Sequence, residues 1–411
     1  MNLLILNYDF PPNPGIGGRR WAKLAKSLAI QGHRIEVVKA SFPEGADRSA
    51  WEQDVIHANI TVHSAERKYP KAISHPRNSL PGKINFRLHK TLLSFREKGT
   101  IYDQSIGWKK SMLPLCQELI RTKQIDAIIA SGAPWNLLVY AAELKAEFPQ
   151  CKLLIDYRDP WLNARNYGMA NLSKQRMNAE IKKQEFIFEH ADAVSSPYEY
   201  LTTQLSEWSQ RHCTHQPRFS TLPHFFDPED FSENVPWQPN DVFRMVYAGD
   251  IYVGSEPQWE EFRMLVDKLS TATNFLTHKL QVDVYTSAEI PDSIRNANYI
   301  HVHRPVGKLI FDLMRTADVL LVVLPENKKN ERTTKFFEYL PLRIPLFVVS
   351  PPGEVTRYVE TNRLGVCSTQ DLEAIRDLFT GVYARESFKS NFDIDSCTNH
   401  QRAKDVIHLI S

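Results

Sequence analysis

The sequence predicts an α/β chain built as two successive doubly wound halves, and three observations carry that prediction. Short apolar runs without polar alternation, such as D-V-L-L-V-V-L at Asp318–Leu324, read as parallel strands covered on both faces. These runs alternate with segments of helical spacing in two series. Between the series, residues 225–240 (F-F-D-P-E-D-F-S-E-N-V-P-W-Q-P-N) carry prolines and acids without periodicity and read as a linker. At 411 residues the chain suits two domains of about 200, each able to bury its own core. The expected division is 1–224, a linker 225–240, 241–390, and a C-terminal segment 391–411 that holds a helix, His400–Ile410.

The first half opens with strand Leu3–Leu6 and the loop Y-D-F-P-P-N-P-G-I-G-G-R-R. Helix Trp21–Ile30 follows (Trp21, Leu24, Ala25 and Leu28 at helical spacing), Gly32 ends it, and Ile35–Val38 is the second strand. A glycine loop in this frame can approach a phosphate closely, having no Cβ in the way. A dinucleotide fingerprint fits poorly: Gly15 and Gly17 give G-x-G, but Arg20 stands where the third glycine belongs, and no acid ends the second strand. Asp126–Ala130 is the next strand, followed by S-G-A-P-W and a helix to about Glu147. Strand Lys152–Ile155 then delivers D-Y-R-D-P-W (156–161) at its carboxyl end, where open α/β sheets gather ligands. Arg158 and Asp159 are either site residues or a structural pair with Trp161 in the core. Helix Gln175–His190, A-D-A-V-S-S-P and strand Phe219–His224 complete this half.

The second half reads as strands Phe243–Ala248, Leu280–Tyr285, Tyr299–Val302, Asp318–Leu324 and Ile344–Val349, with helices Trp259–Leu269 and Gly307–Thr316. Between its last two strands, E-R-T-T-K-F-F-E-Y-L holds a short helix. Thr333 and Thr334 open it and leave backbone N–H groups free for an anion. Lys335 and Glu338, three residues apart, share one face of it. They form either a surface ion pair or the phosphate and hydroxyl contacts of a nucleotide site.

Composition excludes several classes. A formal net charge of +2 argues against a nucleic-acid binder. Five scattered cysteines without C-x-x-C point to reduced, mostly buried thiols rather than disulfides or zinc. The start M-N-L-L-I-L-N-Y-D-F-P-P lacks a basic leader, and no apolar run approaches a membrane span, so a cytoplasmic protein is expected. Asp393-Ile394-Asp395 is a D-x-D far from the other candidates, and His301 and His303 have no third ligand, so no metal is expected. No G-x-S-x-G nucleophile motif occurs. Ala65–Thr100 carries nine Lys/Arg against two Glu, with Ile84, Leu88, Leu92 and Phe95 on one helical face and Leu93 flanking. It is either a solvated basic insertion or an interfacial helix for an anionic membrane surface.

K-F-F-E-Y-L-P-L-R-I-P-L and D-Y-R-D-P-W, with the double proline before Gly17-Gly18 and G-H-R-I-E-V-V after the first helix, resemble GT-B glycosyltransferases, especially family 4. The resemblance implies two Rossmann-like domains facing each other across a cleft, with the C-terminal helix His400–Ile410 returning to the first. It implies retaining transfer from a nucleotide-sugar, UDP-sugar favoured, to a glycan or lipid-linked acceptor in polysaccharide biosynthesis, without metal or other cofactor. It places such an enzyme in the cytoplasm or on the inner face of the membrane. By the same resemblance Glu338 holds the ribose, while Gly17, Gly18 and the amides around Thr334 serve the phosphates. Arg304 to Val306 lies by the base, and Arg158 and Asp159 face the reacting centre. His224, Phe225 and Asp227 correspond to the family's hinge. The chain departs from the pattern at Asn330, which stands with Glu331 beside it where the family has a first Glu, and at the turn Arg343-Ile344-Pro345. A-G-D-I-Y-V-G-S-E-P (248–257) also lacks the Arg and Lys that usually touch the diphosphate, which leaves Lys335, Arg19, Arg20 and Arg304 as cations. These departures keep two other readings open, a GT-B-fold nucleotide-sugar epimerase and a non-catalytic accessory subunit.

Overall fold

Leu3, Leu4, Ile5 and Leu6 are wholly buried, as a central strand covered on both faces requires. In the computed structural model, which describes all residues except 15, 44, 75–78, 163–168, 232–241, 273–279 and 380–391, they form β1 (Asn2–Leu6). Gly15 of the G-x-G, Arg77 of the basic segment, linker residues 232–240 and the boundary at 390/391 lie outside the described residues. The chain packs as two units, Met1–Pro223 with Arg402–Ser411, and His224–Gln401.

The first unit adds β2 (Arg34–Ala40), β3 (Ile60–Ala65), β4 (Ala127–Gly132), β5 (Lys152–Tyr157), β6 (Ala193–Ser196) and β7 (Arg218–Thr221). All pairs are parallel, in the order β3-β2-β1-β4-β5-β6-β7. The order reverses between β1 and β4, the switch point at which such sheets bind ligands. Arg218 in β7 donates to the Leu409 carbonyl at 2.5 Å, which ties the C-terminal helix, Asn399–Ile410, to this sheet. The second unit holds β8 (Phe243–Ala248), β9 (Leu280–Tyr285), β10 (Ile300–His303), β11 (Val319–Val323), β12 (Leu346–Val349) and β13 (Gly365–Cys367). They run parallel in the order β10-β9-β8-β11-β12-β13, with the reversal between β8 and β11. Two parallel-sheet, Rossmann-like α/β units are therefore present, as the fold reading expects.

Some boundaries differ from the sequence reading. The expected strand Phe219–His224 is Arg218–Thr221, because the carbonyls of Leu222 and Pro223 turn to the Arg20 guanidinium at 2.6 and 3.2 Å. The expected helix Gly307–Thr316 starts as a 3-10 turn, Gly307–Leu309, and is α-helical only over Ile310–Arg315. Strand β3 and helices Lys109–Lys123 and Glu199–His212 carry no assignment from sequence. Asp103 caps the helix Asn136–Glu147 from a distant loop, its Oδ2 accepting the N–H groups of Trp135 and Asn136 at 2.6 and 2.9 Å. The five cysteines are free and four are buried. Among the described residues no helix is long and apolar enough to cross a membrane.

Candidate functional site

In the first unit, chain segments leaving the carboxyl ends of β1, β3 and β5 bring Asp9, Gly17, Arg67, Arg158 and Asp159 together. A Cβ on Gly17 would lie 2.6 Å from Arg158 Nη1, and one on Gly18 only 2.2 Å from the Asp9 carbonyl oxygen. The glycine pair therefore lets the loop close on itself and gives Arg158 its seat. Arg158 Nε donates to Asp159 Oδ2 at 2.9 Å. Arg67 Nη2 lies 3.7 Å from Asp9 Oδ1, and its guanidinium sits 4.8 Å over the Tyr8 ring. Burial pushes the Asp9 carboxyl up, against the pull of Arg67 and Arg158. Trp161 is core: it stacks on Trp135 with centroids 5.5 Å apart and donates to Glu180 at 3.1 Å. Asp9 and Arg67 are not site candidates by sequence: Asp9 has only its position just after an apolar strand, and Arg67 is counted only among the cations of the basic segment.

Arg19 and Arg20, candidate cations by sequence, are engaged inside the unit. The Arg20 guanidinium is buried, with Nε 3.2 Å from Asp156 Oδ2. Asp156, wholly buried in β5, also accepts from Trp21 Nε1 (2.8 Å), Ser131 Oγ (3.2 Å) and Ser195 Oγ (2.9 Å). Arg19 lies 4.6 Å over the Trp51 ring. Burying these charges away from partners would be costly, so the packing holds them where they are.

In the second unit the helix Thr334–Tyr339 is knit to the loop after β8, at the switch point. Tyr339 Oη accepts the Ala248 N–H at 2.8 Å, and Tyr247 Oη donates to the Asp250 carbonyl at 2.7 Å. Lys335 Nζ lies 3.7 Å from the Tyr247 ring centroid, 5.2 Å from that of Tyr252 and 3.4 Å from the Asp250 carbonyl. Gly249, at φ +119, leaves the space for that side chain: a Cβ there would meet Lys335 Cε at 2.7 Å. Lys335 thus brings an ammonium to the very loop that lacks Arg and Lys in sequence. Glu338 is half-buried beside it, and its charge acts on Lys335 and Tyr252. Thr334 Oγ1 is 3.4 Å from His224 Nδ1.

The remaining candidates spread over the same unit. Asn330 Oδ1 accepts the Glu354 N–H at 2.9 Å, so it supports the start of helix Glu354–Thr361. Glu331 is buried and paired with Lys328 at 2.5 Å. Arg304 and Val306 follow β10 at the sheet edge and are exposed, two strands from the β8 loop. His303 packs on Tyr285 at 4.7 Å and bonds Asp283 at 2.8 Å. Burial opposes ionisation of Asp283, but bonds from Gln281, His303 and Arg244 hold its carboxyl below the usual range. Asp393 accepts the Asp395 N–H at 3.1 Å, a local turn.

Removal from water lowers the Lys335 pKa to about 7, against the opposing pull of Asp250 and Glu338. In the unfolded chain a lysine titrates near 10.4. Between those values the unfolded chain binds a proton that the folded one lacks, so stability of the second unit rises with pH across that window. Lys335→Met is expected to flatten this rise, read from urea midpoints at about pH 7 and about pH 9. An equal rise in both proteins would assign it to another group.

No family model and no curated protein matches the sequence. Solved structures match the fold. An α,α-trehalose-phosphate synthase (UDP-forming) from Burkholderia vietnamiensis superposes with TM-score 0.55 at 12% identity, over 100% of this chain and 95% of that chain. WaaG, a glycosyltransferase involved in lipopolysaccharide biosynthesis, gives 0.56 at 13%, over 98% and 99%. Arabidopsis thaliana UGT89C1, complexed with UDP, gives 0.53 at 12%, over 100% and 99%. The chain shares the GT-B fold with these glycosyltransferases, and at such identity the likeness concerns the fold.

Proposed function

We propose that the chain is a retaining glycosyltransferase that moves a sugar from a nucleotide diphosphate sugar, by preference a UDP-sugar, to a hydroxyl of a glycan or lipid-linked acceptor. The observation that carries this reading is the seating of K-F-F-E-Y on the β8 loop, which holds Glu338 half-buried beside Lys335 at the switch point. A carboxylate fixed there suits a pair of ribose hydroxyls, which it binds by charge-assisted hydrogen bonds. The fold shared with a UDP-forming synthase and with a UDP complex supports the choice of donor.

In this reading Thr334, Lys335 and the Gly17–Gly18 loop serve the phosphates, and Arg304 and Val306 flank the base. The carbonyl of Asn330 is engaged with Glu354, so any donor contact falls to its amide nitrogen. Arg158 and Asp159 act at the reacting centre. The chief chemical need is stabilising the charge on the departing diphosphate. With a pKa brought down to about 7, Lys335 takes up a proton when that anion approaches. The sugar C–O bond to the diphosphate breaks, the bond to the acceptor oxygen forms on the same face, and the acceptor proton passes to the leaving phosphate. Neither a metal nor another cofactor enters this scheme.

Glu338→Gln is expected to keep the fold and weaken nucleotide binding by about ten- to a hundredfold, the worth of a charge-assisted bond of about 1.5–3 kcal/mol. Calorimetric titrations of UDP, GDP and ADP read this directly; unchanged affinities would remove Glu338 from the site. Incubation with nucleotide-sugars, alone and then with glycan or lipid acceptors, tests the reaction. Transfer supports the reading, epimerised sugar without acceptor replaces it with an isomerase, and no nucleotide binding leaves an accessory subunit.

A further inference from the structure

The helix Leu80–Arg96 carries apolar rows on two opposite sides. Phe86 and Leu93 are buried with Ile73, Ile101 and Ile106. Leu80, Ile84, Leu88, Leu92 and Phe95 are exposed, Leu80 by 76% and Phe95 by 88%. At about 100° per residue these five fall within an arc of about 120° and make one continuous row. A contiguous apolar row on a protein surface marks an interaction site.

The row is displayed on a rigid support. Ser79 caps the helix start, accepting the Gly82 N–H at 3.2 Å. Arg176 closes its end by donating to the carbonyls of Ser94 (2.6 Å), Glu97 (3.0 Å) and Gly99 (2.6 Å). Lys83, Arg87 and Lys90 border the row on one side and Arg96 on the other, and residues 79–96 contain no acid. A second copy of the helix would set these cations against their own kind, which costs binding. An anionic bilayer surface complements both features, since apolar side chains enter the acyl boundary while Lys and Arg meet the headgroups.

We propose that the outer face of helix Leu80–Arg96 docks the protein on an anionic lipid bilayer. This does not depend on the transferase reading, because nucleotide titration in vesicle-free solution tests that reading separately. The test is co-sedimentation of the full chain with phosphatidylcholine vesicles and with vesicles containing one third phosphatidylglycerol. Recovery is expected with the anionic vesicles at about 0.1 M salt and is lost at about 1 M, where the Debye length shrinks to about 3 Å. Lys83→Gln, Arg87→Gln and Lys90→Gln together should lower the partition coefficient about a hundredfold. Ile84→Ser with Leu88→Ser and Leu92→Ser should also release the protein. All six side chains are exposed, so the variants should keep the parent circular dichroism. Equal recovery on neutral and anionic vesicles, recovery on neither, or variants that sediment like the parent would overturn the proposal. So would a dimer in solution that the apolar variant dissociates.

Discussion

Asp156→Ala is expected to destabilise the first unit by about 3–5 kcal/mol, because it leaves the buried Arg20 guanidinium without its carboxylate. Asp156 is wholly buried and accepts from Arg20, Trp21, Ser131 and Ser195. Its removal takes the acceptor from four donors at once, two on helix Arg19–Ile30 and one each on β4 and β6. The lower part of the range is favoured, since Arg20 keeps the carbonyls of Leu222 and Pro223. Urea unfolding should be fitted as two transitions, one for each unit. Asp283→Ala is the natural control: it removes a carboxylate shared by Arg244 and His303 in the second unit and should move the other transition. Adding Arg20→Met to Asp156→Ala should recover part of the loss, as the buried guanidinium is then removed together with its carboxylate. A first transition that does not move in the single variant would show that Arg20 finds other partners.

Asp159→Asn is expected to lower turnover by about 10²-fold while leaving donor affinity within about twofold, the pattern of a group that acts on the reaction rather than on nucleotide binding. Asp159 is half-exposed at the carboxyl end of β5, and its Oδ2 accepts from Arg158 Nε at 2.9 Å. Asparagine retains an acceptor for that guanidinium, so Arg158 should stay in place and only the charge is lost. Single-turnover rates and donor titrations separate the two effects. Lost donor binding with turnover kept at saturation would move Asp159 to the nucleotide site.

The sheets were legible because β1 and β11 are runs of aliphatic residues that only a doubly covered strand accommodates. Strand β3 was not, since T-V-H-S at a sheet edge is half-exposed and mixes polar with apolar residues. Pro114 interrupts the pattern of helix Lys109–Lys123. At the candidate site, sequence singled out Gly17 and Gly18 but not what packs against Gly17, because Arg158 arrives from far along the chain. The same limit hid the engagement of Arg20, whose carboxylate partner lies 136 residues away. Spacing paired Lys335 with Glu338, yet it is Tyr339 that anchors the helix on the last residue of β8. In Leu80–Arg96 the helix was visible, whereas only packing decided that Phe86 and Leu93 face inward and Leu88 and Leu92 outward.

Asp103 gives the first sheet a different character from the second. Its carboxylate already holds the two N–H groups that open helix Asn136–Glu147, next to the end of β4. A helix N-terminus at the end of a strand can hold a phosphate, and here it comes plugged by a resident anion. A phosphate arriving there would have to displace a covalently tethered competitor and would meet its negative charge besides. That corner of the first unit is thereby closed to a phosphate, whereas the Gly17–Gly18 loop after β1 is left untouched by it. Asp103→Gly would pull the plug, and inorganic phosphate or sulfate should then compete for the vacated amides.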